Sequence, residues 1–234
     1  MKKAILSLPE GHKKAFSMDL EKNKRLALLV NGISLAIFLV MALVMHLFVP
    51  IFQLVMPQEG EPFWAALPRV GVLFVALLAY IFLHELTHGI AMKIFGASKI
   101  NYGFTGIYAY AGSNAYFDKV SYIIISLAPI VVWGVVLTII NLLVPYNWIW
   151  TVYFIQIMNV AGAAGDFYVA IRLARAPSDV LVYDEGVGMV VYSAVLAPED
   201  EDAPAESAKE APIQAVAEEA PTEAPSDNAP EENE

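Results

Sequence analysis

Four stretches of the chain, 26–49, 69–95, 120–144 and 148–173, are each apolar over a length that crosses a bilayer as one helix, for which about 20 residues suffice. Nothing else in the sequence narrows the fold so far. Inside lipid every backbone N–H and C=O must find its partner within the protein, so a spanning segment of this kind is a helix. Hydrophobic residues make up 58 % of the 234 positions and the mean hydropathy is +0.56, above the roughly 45–50 % apolar content of soluble domains. The expected fold class is all-α integral membrane: four transmembrane helices with a short re-entrant or β-hairpin-like segment between the second and third.

That segment, 98–118, lacks a helical period. Lys99-Ile100-Asn101-Tyr102-Gly103-Phe104 and Ile107-Tyr108-Ala109-Tyr110 mix aromatic, small and polar side chains, and Gly103, Gly106 and Gly112 punctuate them. One or two short strands or a re-entrant hairpin are expected. Beyond the fourth span, Val180-Leu181-Val182-Tyr183 and Gly188-Met189-Val190-Val191-Tyr192 can pair across Asp184-Glu185-Gly186. The chain then divides into a basic cytoplasmic arm, 1–26, a four-span membrane domain, 27–196, and an Ala/Pro/Glu-rich acidic tail, 197–234, expected to be disordered because it has little to bury. The basic start has no short apolar core with a small-residue cleavage site, so no removed signal peptide is expected.

Charge sets the topology. The tail holds thirteen carboxylates and one lysine, net −12, which leaves +2 for the rest of a chain of net charge −10. Nucleic acid is not an expected partner. Of 14 lysines and arginines only Arg69 falls in the loops 50–69 and 145–147. The positive-inside rule therefore predicts a multi-pass protein of the cell membrane with both termini cytoplasmic, in contact with the lipid bilayer. Cysteine is absent, so any metal site must use histidine and carboxylate.

The second span carries His84-Glu85-Leu86-Thr87-His88, followed by Gly89. An ionisable residue at the centre of a span costs on the order of 2.5–3.5 kcal/mol even on the lenient insertion scale. Three together call for compensation, and a bound metal supplies it. On a helix His84 and His88 are one turn apart on one face, so two imidazoles reach one ion, and Glu85 stands beside them as a base. This is the H-E-x-x-H arrangement of zinc peptidases. Catalytic zinc takes three protein ligands, and the third is predicted to be Asp166, the other conspicuous charge deep in a span. His88 lies 18 positions into its span from Val70, and Asp166 lies 18 positions into its own from Trp148. Both therefore reach roughly 27 Å at about 1.5 Å per residue. Asn159, two turns before Asp166 on the same face, is predicted to be catalytic, donating to a substrate carbonyl. The alternative for Asp166 is an ion pair with Arg172, and for Asn159 polar contact between helices. Tyr102, Tyr108 and Tyr110 read as interfacial or packing residues, and Asp118, Asp179, Asp184 and Glu185 as loop carboxylates.

These residues resemble a known group. Intramembrane His84-Glu85-Leu86-Thr87-His88 paired with Asn159 to Gly165-Asp166 is similar, distantly, to the site-2 protease type of intramembrane metalloprotease. More closely, over roughly 20–193, the chain resembles the bacterial putative zincin peptidase family, with four spans, the motif in the second, Leu127-Ala128-Pro129 in the third and a late asparagine-to-Gly-Asp stretch. The resemblance implies Zn2+ held by His84, His88 and Asp166, with Glu85 as the catalytic base. It departs from the site-2 protease pattern in having Phe167 after Asp166 and no proline at the expected place after Asn159.

The expected function is an integral-membrane zinc-dependent peptidase that hydrolyses a membrane protein or peptide substrate near the cytoplasmic face. The alternative is a non-catalytic metal-binding membrane scaffold or inactive peptidase homologue, which has no evident need for Glu85. Another divalent ion in place of zinc, the substrate, the cleavage position and the oligomeric state stay open at this stage.

Overall fold

The computed structural model describes residues 3–106, 108–186 and 188–196. The expected tail, 197–234, lies outside them. In chain order the elements are β1 (Lys13–Asp19), α1 (Lys24–Phe48), α2 (Ala66–Ile94), β2 (Ile100–Phe104), β3 (Ala109–Ser113), β4 (Tyr116–Asp118), α3 (Lys119–Leu143), α4 (Ile149–Ala161), α5 (Ala164–Arg175), β5 (Leu181–Asp184) and β6 (Gly188–Ser193).

The long helices begin and end where local chemistry dictates. The Asn23 side chain accepts from the Leu26 N–H at 3.0 Å and caps α1. Asp118 accepts from the Val120 and Ser121 N–H groups and caps α3. Both satisfy donors that a helix start leaves unpaired. α2 closes on Gly96 at φ +107°, with Gly96 N–H bonded to Lys93 O and Ala97 N–H to Met92 O. That pair of bonds is the Schellman closure, and it needs the left-handed conformation that glycine adopts without penalty.

Among the described residues, four helical stretches are long and apolar enough to cross a membrane: Lys24–Phe48, Phe63–Ile94, Lys119–Leu143 and Tyr146–Arg175. They overlap the four expected spans. Their outer faces are apolar, with Leu28, Leu35, Leu39, Leu43, Leu78, Val131 and Leu142 all exposed, the pattern of helices solvated by lipid. The fourth differs from expectation in being two helices. Gly162 and Ala163 form a turn between α4 and α5, at a point where glycine costs a helix about 1 kcal/mol relative to alanine. The turn places Asp166 in the first turn of α5, where a carboxylate complements the helix dipole.

The expectation of an all-α protein is corrected by two antiparallel sheets. One has four strands in the order β1-β6-β5-β4; the other is the β2-β3 hairpin. The strands follow or precede the helix ends at one end of the bundle, and the 98–118 region and the 180–192 region form the hairpins their sequence suggested. The basic arm holds a strand that its sequence does not suggest. Lys13–Asp19 is an edge strand paired along β6 from Lys13↔Ser193 to Asp19↔Gly188. Ala15, Phe16 and Met18 enter a core with Met92, Phe117, Leu173, Val182 and Val191. A register shift between Lys14 and Phe16 puts two neighbouring residues inward and hides the period-2 signal of a strand.

At the opposite end the lone cation of the loops is spent inside the protein. Arg69, 1 % exposed, donates to Glu61 at 2.8 Å and to Met56 O at 2.8 Å, and Asn147 donates to the same carboxylate at 2.9 Å. The Arg69 guanidinium holds the Glu61 carboxyl down at about 2.

Candidate metal centre

α2 carries Tyr80, His84 and His88 at successive one-turn intervals, so all three point to the same side. α5, entering from the turn at Gly162, brings Asp166 against them. His84 Nε2 lies 3.4 Å from Asp166 Oδ2, and His88 Nε2 lies 3.4 Å from Asp166 Oδ1. One ligand atom from each of the three residues falls within 4.8 Å of the others. The depth match between the second and fourth spans is thus realised as contact.

The geometry suits a small divalent ion. Zinc bonds of about 2.0–2.2 Å in a tetrahedron set neighbouring ligands roughly 3.3–3.6 Å apart, and both nitrogen–oxygen separations fall in that range. The donor set of two imidazoles and one carboxylate is also the one expected of catalytic zinc. Each histidine has its other nitrogen engaged: Nδ1 of His84 with the Tyr80 hydroxyl at 2.9 Å, Nδ1 of His88 with the Ile125 carbonyl at 3.0 Å. Nε2 is left facing Asp166 in both.

Glu85 lines the same cavity as His84, His88 and Asp166, a space of about 210 Å³. Ala111 of β3 lines it too, so the β2-β3 hairpin is docked on the turn of α2 that carries the motif. Gly89 makes the docking possible. A Cβ there would lie 2.0 Å from the Tyr102 hydroxyl and 3.0 Å from Ile100. Tyr102 is therefore a packing residue against the motif helix.

Asn159 differs from its expected role. It is fully buried, its oxygen accepts from Tyr80 at 2.8 Å, and its nitrogen donates to Ile130 O at 3.1 Å. Its amide is committed within the bundle. Arg172, the alternative partner of Asp166, sits with its guanidinium 4.4 Å from the centroid of the Phe16 ring.

Sequence reasoning missed Tyr80, although it stands four residues before His84, and it missed Asp184. The latter is no loop carboxylate: it is 7 % exposed, lines the cavity and accepts from the Tyr122 hydroxyl at 2.5 Å and the Gly186 N–H at 2.8 Å. Burial pushes its carboxyl up to about 6 against the hydrogen bonds that hold it down. Gly186, which positions it, has φ +105° and would drive a Cβ to 2.2 Å from the Tyr110 ring. Nothing in a hairpin's turn sequence says that its last strand residue faces a cavity.

No curated protein and no solved structure matches the chain. Residues 77–181, from the middle of α2 through Asp166 to the first residue of β5, match the family model described as "Putative zincin peptidase", so the family resembled in the sequence is the family matched.

Proposed function

We propose that this protein is an integral-membrane zinc-dependent peptidase, cutting a membrane protein or peptide substrate close to the cytoplasmic face, with both of its termini in the cytoplasm. The observation that carries the reading is the convergence of His84, His88 and Asp166 at zinc-like separations in one cavity with Glu85. A scaffold needs the first three residues and not the fourth.

In this reading His84, His88 and Asp166 are the ligands. Zinc held by them supplies Lewis acidity, which acidifies water and polarises a carbonyl. Glu85 accepts the proton of the attacking water and returns it to the leaving amine. β3, hydrogen-bonded to β2 on one side, offers the substrate an extended template by β-addition. A helical substrate must unwind first, because its carbonyls are otherwise bonded along the helix.

Two measurements on purified protein and on expressing cells test this. Metal analysis is expected to give about one zinc per chain in the wild type and in Glu85→Gln, and a loss in His84→Ala, His88→Ala and Asp166→Ala. Glu85→Gln keeps the shape and cannot accept the proton, so cleavage of membrane proteins should fall by about 10²–10⁴-fold. Full zinc in Asp166→Ala removes that residue from the ligand set. Identical membrane-protein fragments in wild-type, Glu85→Gln and null cells would return the chain to the scaffold reading.

A further inference from the structure

α3 contains Pro129. A proline has no N–H, so the carbonyl four residues earlier in a helix loses its partner. Here that carbonyl is Ile125 O, and it is the atom bonded to His88 Nδ1 at 3.0 Å. A carbonyl only accepts, so His88 Nδ1 carries the proton and Nε2 is free for a metal. Five residues further along α3 a second carbonyl acts on the other histidine. Ile130 O accepts from Asn159 Nδ2, which orients the amide; Asn159 Oδ1 then accepts from the Tyr80 hydroxyl. The one proton of Tyr80 is used there, so its oxygen accepts from His84 Nδ1. The order of donors along this chain has one solution, and it leaves Nε2 of His84 free as well.

We propose that α3, opened at Pro129, sets the tautomer and aim of both histidines, and that Pro129, Tyr80 and Asn159 are positioning residues for the metal ligands. The inference rests on the reading of His84 and His88 as ligands. It assigns Asn159 a role through Tyr80 in place of contact with substrate. Partners that fix the far nitrogen of a ligating histidine are worth about 10–100-fold in metal affinity. The same device accounts for a proline in the middle of an apolar span and for a buried asparagine and tyrosine beside it, where each would otherwise be a cost in lipid.

The test uses the full-length protein in detergent, with Pro129→Ala and Tyr80→Phe beside wild type. Pro129→Ala restores an N–H that competes for Ile125 O; Tyr80→Phe removes the acceptor of His84 and leaves the ring in place. ¹⁵N NMR of histidine-labelled, metal-free protein, at a pH high enough that both rings are neutral, reads which ring nitrogen is protonated, and with 4 histidines in the chain the signals can be assigned one by one. The expected wild-type spectrum has a proton on Nδ1 of both His84 and His88. In Tyr80→Phe the His84 ring should shift to the Nε2–H tautomer, drawn by Asp166, and in Pro129→Ala the His88 ring should shift toward it. Competition with a chromophoric chelator should show zinc affinity lower by about 10–100-fold in Tyr80→Phe and about tenfold in Pro129→Ala. Melting curves check that each variant is folded, and Tyr80→Phe, a change of one oxygen, decides the matter if Pro129→Ala is not. Either histidine lacking an Nδ1 proton in the wild type overturns the proposal, as do unchanged tautomers and unchanged zinc affinity in Tyr80→Phe. A wild type that binds no zinc yet shows the expected tautomers and their shifts defeats the metal reading and leaves the orientation by α3 standing.

Discussion

Asp184 is a single residue whose environment makes a measurable difference. Its carboxyl is pushed from an ordinary 3.8 to about 6, burial being the main cause. Below the lower value it is protonated folded or unfolded and adds no pH dependence to stability. As pH rises toward and through about 6 the folded protein must either keep a proton the unfolded chain would release or bury a charge, so stability falls. The metal-free wild type should therefore lose stability relative to Asp184→Asn between about pH 4 and pH 6, by up to about 3 kcal/mol at about 1.36 kcal/mol per pH unit, and run parallel to it above. Melting temperatures of both proteins in detergent across that window check this. A constant difference would mean that Asp184 stays ionised in the fold.

The β2-β3 hairpin has little core of its own and takes its position from α2. Gly89 lets the Tyr102 ring and Ile100 close on the helix one residue past His88, and Ala111 of the same hairpin lines the cavity with Glu85. Gly89→Ala improves helix propensity by about 1 kcal/mol and still should harm the site, because the new Cβ drives the Tyr102 ring off the motif helix and crowds Ile100, which loosens the hairpin there. A displacement of about 1 Å at a reacting group costs on the order of 10²-fold, so peptidase activity should drop by that order while zinc content stays near one per chain. The double variant Gly89→Ala/Tyr102→Ala, which removes the ring in the way, should recover part of it. A single variant with wild-type activity would show that the hairpin's place on α2 is immaterial. The caps on α1 and α3 and the closure of α2 belong to the same scale: Asn23 and Gly96 stand where helix ends need them, and Asp118, which reads as a loop carboxylate in the sequence, is the cap of α3.

For the whole molecule, the distribution of lysine and arginine predicts a four-span topology with both termini inside. The structure sharpens the motive for it, since the lone cation of the loops, Arg69, is buried on Glu61. Reporter fusions at Glu59 and Asn147 should report outside, and fusions at Lys99 and Ala208 cytoplasm. An outside signal at Ala208 would break the four-span arrangement.

Helices, hairpins and the pairing of His84 with His88 were legible in the sequence because each depends on neighbours in the chain: apolar length for the spans, i and i+4 spacing for His84 and His88, turn residues for the two hairpins. Depth counted from the span ends even named Asp166 as the partner, since two helices running the same way bring equal counts to equal depth. Tertiary structure decided what depends on helix rotation and on contacts between distant segments. The break at Gly162, the β1 strand hidden by its register shift, the burial of Asp184 and the withdrawal of Asn159 into the bundle are of that kind. Pro129 shows the division most sharply. The sequence alone says that a carbonyl is freed at Ile125, because proline cannot donate; that His88, 37 residues earlier in the chain, receives it follows only from how α2 and α3 pack.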